Sequence, residues 1–202
     1  MRYATFNGQA RAEAAPGARG LCPSCGGIVI AKTGAIMAWH WAHAANECDT
    51  WAEPDSAWHR DWQDQFPAAW QEAVIGPHRA DIRTPAGVIV EFQHSSLPVA
   101  DIKERERFYG HRMVWVFDVS GAYQNNRLLL RRKPGGDPRY RSFRWKHPRK
   151  TVATCDRPVF LDLGCGQLLR LRRYYGGPPT GGWGLLISDS EFVTSIKGDH
   201  RG

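Results

Sequence analysis

Arg79-Ala80-Asp81-Ile82 and Val88-Ile89-Val90-Glu91-Phe92-Gln93, separated by the turn residues Thr84-Pro85-Ala86-Gly87, decide how this chain folds. Both runs alternate apolar and polar residues around a Pro/Gly turn, which is the pattern of a β-hairpin. Period-two geometry then sends Ile89, Glu91 and Gln93 to one face and Val88, Val90 and Phe92 to the other. One carboxylate from each arm, Asp81 and Glu91, converges on a common spot. With the backbone carbonyl of Phe92 they form a set of hard oxygen donors suited to Mg²⁺ or Mn²⁺. In outline this is a phosphodiester-cleaving arrangement.

Working outward, Trp58, Trp62 and Phe66 recur at i, i+4 and i+8 behind Pro54, predicting a helix with an apolar stripe that runs to about Trp70. Glu53 stands at its start and His59 a turn and a half later; both reach the hairpin cleft if the helix crosses the strand ends. Taken alone, a helix-start Glu serves the helix dipole and a His on a Trp-rich helix is structural. On the other side, residues 98–110 read as a short charged helix containing Lys103-Glu104-Arg105-Glu106-Arg107-Phe108-Tyr109, and residues 113–119 as a buried strand. Strand, helix and strand make a crossover, so the expected fold is α/β (α+β), a small mixed sheet flanked by helices. Arg105, Arg107 and Tyr109 either border the cleft and touch phosphate or belong to a solvated helix face.

The five cysteines are Cys22, Cys25, Cys48, Cys155 and Cys165, an odd number that does not suit a disulfide framework. Cys22-Pro23-Ser24-Cys25-Gly26-Gly27 has the spacing of a zinc knuckle. A hairpin follows, with arms at residues 28–31 and 35–39 around Lys32-Thr33-Gly34, and then His40-Trp41-Ala42-His43 and Cys48. Knuckle, hairpin and late ligands resemble a treble-clef finger. The expected Zn²⁺ ligands are Cys22, Cys25, His43 and Cys48, with His40 as the substitute for His43 if the hairpin runs differently. A closed set of four leaves no site for water, so its role is structural; such zinc contributes on the order of 10 kcal/mol to folding in small fingers. The plain alternative is unrelated buried cysteines and a surface His pair. Cys155 and Cys165 lack Cys-x-x-Cys spacing and read as buried thiols.

At 202 residues and 42% apolar the chain can bury a core without disulfides. No apolar run reaches the roughly 18 to 20 residues of a membrane span, and residues 1–20 lack the apolar centre of a signal peptide, so a cytoplasmic location is expected. The net charge of +7 is local: residues 127–150 hold ten Lys/Arg against the single acid Asp137, a surplus of nine that leaves −2 for the remainder. Within it Arg139-Tyr140-Arg141-Ser142-Phe143-Arg144-Trp145-Lys146 reads as a strand offering Arg139, Arg141, Arg144 and Lys146 to phosphates, or as a solvated basic loop. The organisation expected is a zinc-binding module at 1–50, a core at 51–120 and a basic β-rich region at 121–202.

In this order the pieces resemble the CoiA-like family of competence-associated proteins, whose central domain is of the PD-(D/E)XK nuclease superfamily. The marks are Cys22-Pro23-Ser24-Cys25, His40-Trp41-Ala42-His43 before Cys48, Glu53 with His59, Arg79-Ala80-Asp81-Ile82, Glu91-Phe92-Gln93-His94-Ser95 and Glu106-Arg107-Phe108-Tyr109, spread over residues 20–120. The resemblance implies a restriction-endonuclease-like core in which Asp81 and Glu91 ligate the catalytic metal, and Glu53 and His59 complete its shell or position water. It further implies DNA as partner, on single or branched strands in recombination, transformation or mobile-element biology, with a 5′-phosphate as product. Gln93 stands where the superfamily name has lysine. An amide carries no charge, so it orients water or a phosphate oxygen without neutralising developing charge.

Three other readings compete. Phe160-Leu161-Asp162-Leu163-Gly164-Cys165-Gly166 looks like the glycine-rich turn of methyltransferases, but only 36 residues follow it, too few for a doubly wound domain. A hairpin of residues 159–163 and 167–171 fits better. A nucleic-acid-binding protein that keeps the nuclease scaffold without activity would be expected to lose its acids, and Asp81 and Glu91 are present. A protein-binding adaptor would need an exposed apolar patch, for which Gly176-Gly177-Pro178-Pro179-Thr180-Gly181-Gly182-Trp183 is the candidate.

Overall fold

A computed structural model of the chain describes residues 1–35, 38–45, 48–51, 56–132, 136–177 and 180–198. Two compact units divide it, Met1–Arg83 and Thr84–Gly202.

The first unit opens with β1 (Tyr3–Phe6) and β2 (Gln9–Glu13), antiparallel across Asn7-Gly8, both of which have positive φ. Asn-Gly tolerates the two left-handed positions that a tight hairpin demands. Then come β3 (Arg19–Leu21), β4 (Ile28–Lys32) and β5 (His40–His43), completing a five-stranded sheet in the order β2-β1-β3-β4-β5. Its core is small: Ala4, Ala14, Ala18, Cys22, Val29 and Trp41, with the Trp41 indole donating to the Ala12 carbonyl. The second arm of the finger hairpin was expected at residues 35–39; the strand instead starts at His40. Glu53 and Pro54 lie outside the described residues.

Helix α1 (Ala57–Gln63) is capped by the Ser56 side chain, which accepts from the His59 N–H. It stops well before Trp70, correcting the expected length. Pro67 disfavours helical geometry at Phe66 and has no N–H to continue the ladder, so the chain passes through a 3-10 turn at Ala68–Trp70. Trp62 and Phe66 are nevertheless buried. Strands β6 (Gln71–Ile75) and β7 (His78–Arg83) follow as an antiparallel hairpin. The Gln71 amide ties the region together, donating to the Gln63 and Phe66 carbonyls and accepting from the Tyr3 hydroxyl.

The second unit is a mixed sheet. Strand β8 (Ile89–Gln93) lies parallel to β9 (Met113–Asp118), joined by α2 (Val99–Tyr109), the expected crossover. Gly110, at φ 78°, ends α2 in a conformation a Cβ would strain. All five residues of β8 are buried, so neither of its alternating faces meets water, as befits a parallel strand covered on both sides. After α3 (Ser120–Gln124) come β10 (Leu128–Arg132), β11 (Tyr140–Trp145), β12 (Val159–Asp162), β13 (Gln167–Tyr175), β14 (Gly181–Ser188) and α4 (Asp189–Gly198). Within this unit the order is β10-β11-β14-β13-β12-β9-β8. Strand β12 runs parallel to β9 and antiparallel to β13, so Gly164-Cys165-Gly166 is a hairpin turn. Helix α4 packs Phe192 against Phe160, ring centroids 4.8 Å apart.

Cys165 is exposed on the turn, not a buried thiol, whereas Cys155 is partly buried and burial pushes its thiol up to about 12. In the segment at 176–183, Pro178 and Pro179 lie outside the described residues and Gly181 to Trp183 begin β14. Among the described residues, no helix is long and apolar enough to cross a membrane.

Candidate functional site

The clearest candidate is a cluster of metal-ligating side chains in the first unit. Cys22, Cys25, His43 and Cys48 present one ligand atom each, all within 4.8 Å of one another. The spacing can be compared with the edges of a zinc tetrahedron. Bonds of about 2.3 Å to sulfur and about 2.0 to 2.1 Å to nitrogen give edges of about 3.8 Å for S···S and about 3.5 Å for S···N. The Cys22 Sγ to Cys48 Sγ distance is 3.7 Å and Cys25 Sγ to His43 Nε2 is 3.4 Å. The four can therefore hold a metal ion such as zinc.

Local structure explains why these four meet. Gly26, at φ 70°, folds the knuckle back so that its N–H reaches the Cys22 carbonyl, and the Ser24 and Gly27 N–H groups point at the Cys22 and Cys25 sulfurs. The Gly27 N–H, followed by His43, pulls the Cys25 thiol down to about 7, while burial pushes Cys48 up to about 12. His40 and His43 are three apart on β5, so they point to opposite faces. Only His43 faces the sulfurs; the His40 ring donates to the Ala38 carbonyl. Directly after Cys48, the buried Asp49 carboxylate accepts from Trp51 N–H, Arg79 N–H and the His78 ring, itself stacked on Trp51.

The acids named from sequence sit as follows. Asp81, on β7, is 2.7 Å from His59 Nε2 on α1, so the structure unites these two predicted residues in the first unit. Glu91 and Gln93 are buried on β8 in the second. Glu91 Oε2 accepts from Arg105 Nη1 at 3.1 Å, and the Gln93 amide donates to the Ser95 carbonyl. Arg105 is only 4% exposed, which corrects the expectation that it faces phosphate from the cleft rim. Arg107 is exposed and Tyr109 half-buried.

The basic strand also needs correction. Residues 141–145 pair without a break with β10 and residues 140–144 with β14, so side chains alternate strictly. Arg139 and Arg141 therefore lie on the side of Phe143 and Trp145, and Arg144 and Lys146 on the other. No single face carries all four. Arg139 is paired with Asp137, and the Arg141 guanidinium donates to the Pro138 and Tyr140 carbonyls.

Several polar anchors had no counterpart in the sequence reading. His94 Nδ1 meets Asp118 Oδ2 at 2.7 Å, and the other Asp118 oxygen accepts from the Ser120 N–H and hydroxyl. Buried Glu106 accepts from the Asp156 and Arg157 N–H groups and the Trp115 indole. Each joins residues distant in sequence, where no periodicity signals the partner.

Residues 13–50 match a family model described as the N-terminal domain of the competence protein CoiA. No curated protein and no solved structure matches the chain. The matched stretch contains β3 to β5 and all four members of the cysteine and histidine cluster. Over residues 13–50, the stretch that carries the cysteine and histidine cluster, the chain is similar to the CoiA-like competence protein family.

Proposed function

We propose that the chain is a metal-dependent nuclease that hydrolyses DNA phosphodiester bonds, with a PD-(D/E)XK core and a treble-clef-like structural zinc module. The observation that carries this reading is Glu91, a carboxylate buried in the middle of an apolar parallel strand and held by a buried arginine. Burying such a pair costs several kcal/mol of desolvation per ion, and an apolar residue would suit the strand better. The acid is therefore explained by use. The resemblance assigns Asp81 and Glu91, and the sequence pattern the Phe92 carbonyl, as ligands of Mg²⁺ or Mn²⁺, and their hard oxygen chemistry fits those ions. When bound, the metal would polarise the scissile phosphate and lower the pKa of a coordinated water.

The chain's own residues then have defined tasks. Arg105 fixes the Glu91 carboxylate by its 3.1 Å contact. His59, by its bond to Asp81, sets the orientation of that carboxylate and accepts or donates a proton at its ring. Gln93 orients a water or phosphate oxygen without adding charge. Glu53 is assigned to the same shell from the resemblance. Of the cations expected to meet phosphate, Arg107, Arg144 and Lys146 are exposed and would contact the DNA backbone.

Incubation with single-stranded, nicked and branched DNA, with and without Mg²⁺ or Mn²⁺, tests the reading. Asp81→Ala and Glu91→Ala should each lower cleavage by at least a hundredfold, and cleavage surviving both sinks the assignment. A second reading, binding without cleavage, is favoured by Gln93 in place of lysine and by the existing pairing of Glu91 with Arg105. Stable complexes with no cleavage on any substrate would select it.

A further inference from the structure

One face of the second unit's sheet combines exposed cations with aromatic rings, of which Tyr175 is exposed and Trp183 and Tyr140 are half-buried. Residues directly opposite in adjacent antiparallel strands point to the same side. The register places Arg144 of β11 in one row with Tyr175 of β13, and Arg131 of β10, Trp183 of β14 and Arg173 of β13 in the next. Tyr140 lies on the same side, its ring stacked on Trp183 with centroids 5.2 Å apart and planes 25° from parallel. Tyr175 is 53% exposed, and the Arg173 guanidinium lies 5.9 Å from its ring. Arg131, Arg144 and Arg173 are exposed and form no ion pair among the described residues, unlike Arg139 on the opposite side. At the β12 end of this same side, α4 covers Phe160.

The composition of the face selects its partner. Three unpaired arginines would lose hydration against an apolar protein surface without compensation. A duplex would supply phosphates, but its bases are stacked inside and cannot reach the rings. A single strand supplies both, phosphates for the guanidinium groups and free base faces for Trp183 and Tyr175.

We propose that this face is a platform for single-stranded nucleic acid, with bases stacking on Trp183 and Tyr175 and phosphates held by Arg131, Arg144 and Arg173. The inference rests on the proposed action on nucleic acid for its ligand class, and it uses none of the residues assigned to cleavage except Arg144, a backbone contact. It gives the strand form that the acidic site leaves open.

Binding of fluorescent dT15, U15 and a 15-base-pair duplex, followed by anisotropy without added Mg²⁺ or Mn²⁺, tests the platform on the full chain. At least one single strand should bind tenfold or more tightly than duplex, and the tighter of the two names the polynucleotide. Trp183→Ala should weaken that binding roughly tenfold, within the range for loss of one stacked base, and Trp183→Phe should restore most of it. Arg144→Gln with Arg173→Gln, both at exposed positions, should reduce the slope of log affinity against log salt by about 1 to 2. Lys32→Gln, an exposed cation of the first unit, should bind like the unsubstituted chain. Duplex bound as tightly as single strands, or unchanged affinity and salt slope in the double arginine variant, overturns the proposal. If binding behaves as expected while no protein cleaves DNA in Mg²⁺ or Mn²⁺, the platform stands and the nuclease reading falls.

Discussion

Arg105 reaches Glu91 from fourteen residues away, and the pair is buried on both sides. Its worth is asymmetric. Removing the cation leaves a carboxylate without its partner in a dry strand, a loss of about 3 to 5 kcal/mol by analogy with other broken buried pairs. Arg105→Met should therefore destabilise the chain by that order in urea unfolding, whereas Arg105→Met combined with Glu91→Leu should recover most of the loss. A double variant as unstable as the single one would show that the two side chains do not act as a pair. The acid was legible in the sequence because it interrupts an apolar run at a fixed position. Its partner was not. Arg105 sits in a run of alternating charges that reads as solvated helix, and nothing local reports that one turn of α2 faces the core. The basic strand shows the converse. The step from Arg141 to Arg144 is odd, so the division of cations between two faces could have been counted from residue numbers alone.

Helix α4 begins with a reciprocal cap. The Glu191 N–H donates to the Ser188 hydroxyl, and the Ser188 N–H donates to the Glu191 carboxylate. That backbone N–H, helped by the Ser188 hydroxyl, holds the Glu191 carboxyl below its usual range. Because the folded value is depressed, the stabilisation is present above the ordinary Glu value of about 4.3 and fades as pH falls through the folded one. Ser188→Ala should cost about 1 kcal/mol, read as a lower midpoint in denaturant at pH 7, and should shrink the loss of stability seen on acidification. A midpoint unchanged at pH 7 would mean the cap adds nothing to the helix. Ser-x-x-Glu ahead of an apolar stripe is a sequence signature, as is Asn7-Gly8 between β1 and β2, so both elements were within reach of a local reading. The end of α1 and the start of β5 were less so, since two patterns overlapped there. The Trp58, Trp62 and Phe66 spacing continued through a segment that Pro67 forbids to be helical, and the His40 to His43 run joined the strand at the expense of the residues before it.

The two units differ in what holds them together. The second rests on large side chains, among them Phe92, Ile102, Met113, Trp115, Phe117, Leu161 and Leu168, all at most 2% exposed. The sheet of the first unit has three alanines among the six residues of its core, and one of the remaining three is Cys22, a member of the metal cluster. So little apolar volume gives little hydrophobic stabilisation, and an ion held by Cys22, Cys25, His43 and Cys48 would add to it, as in small fingers. The cysteine and histidine cluster could be inferred from cysteine spacing because ligand geometry is written into short local motifs. The weakness of the surrounding core could not, because it depends on which alanines face inward. Extraction of the metal by a chelator, followed by hydrogen exchange on the whole chain, should therefore separate the units. Amides of β4 and β5, including Val29 and Trp41, should exchange at least tenfold faster, while those of β9 and β13, including Trp115 and Leu168, keep their protection. Equal loss across both units would mean they unfold as one, and no change in β4 and β5 would mean that the cysteines and His43 are held by packing rather than by an ion.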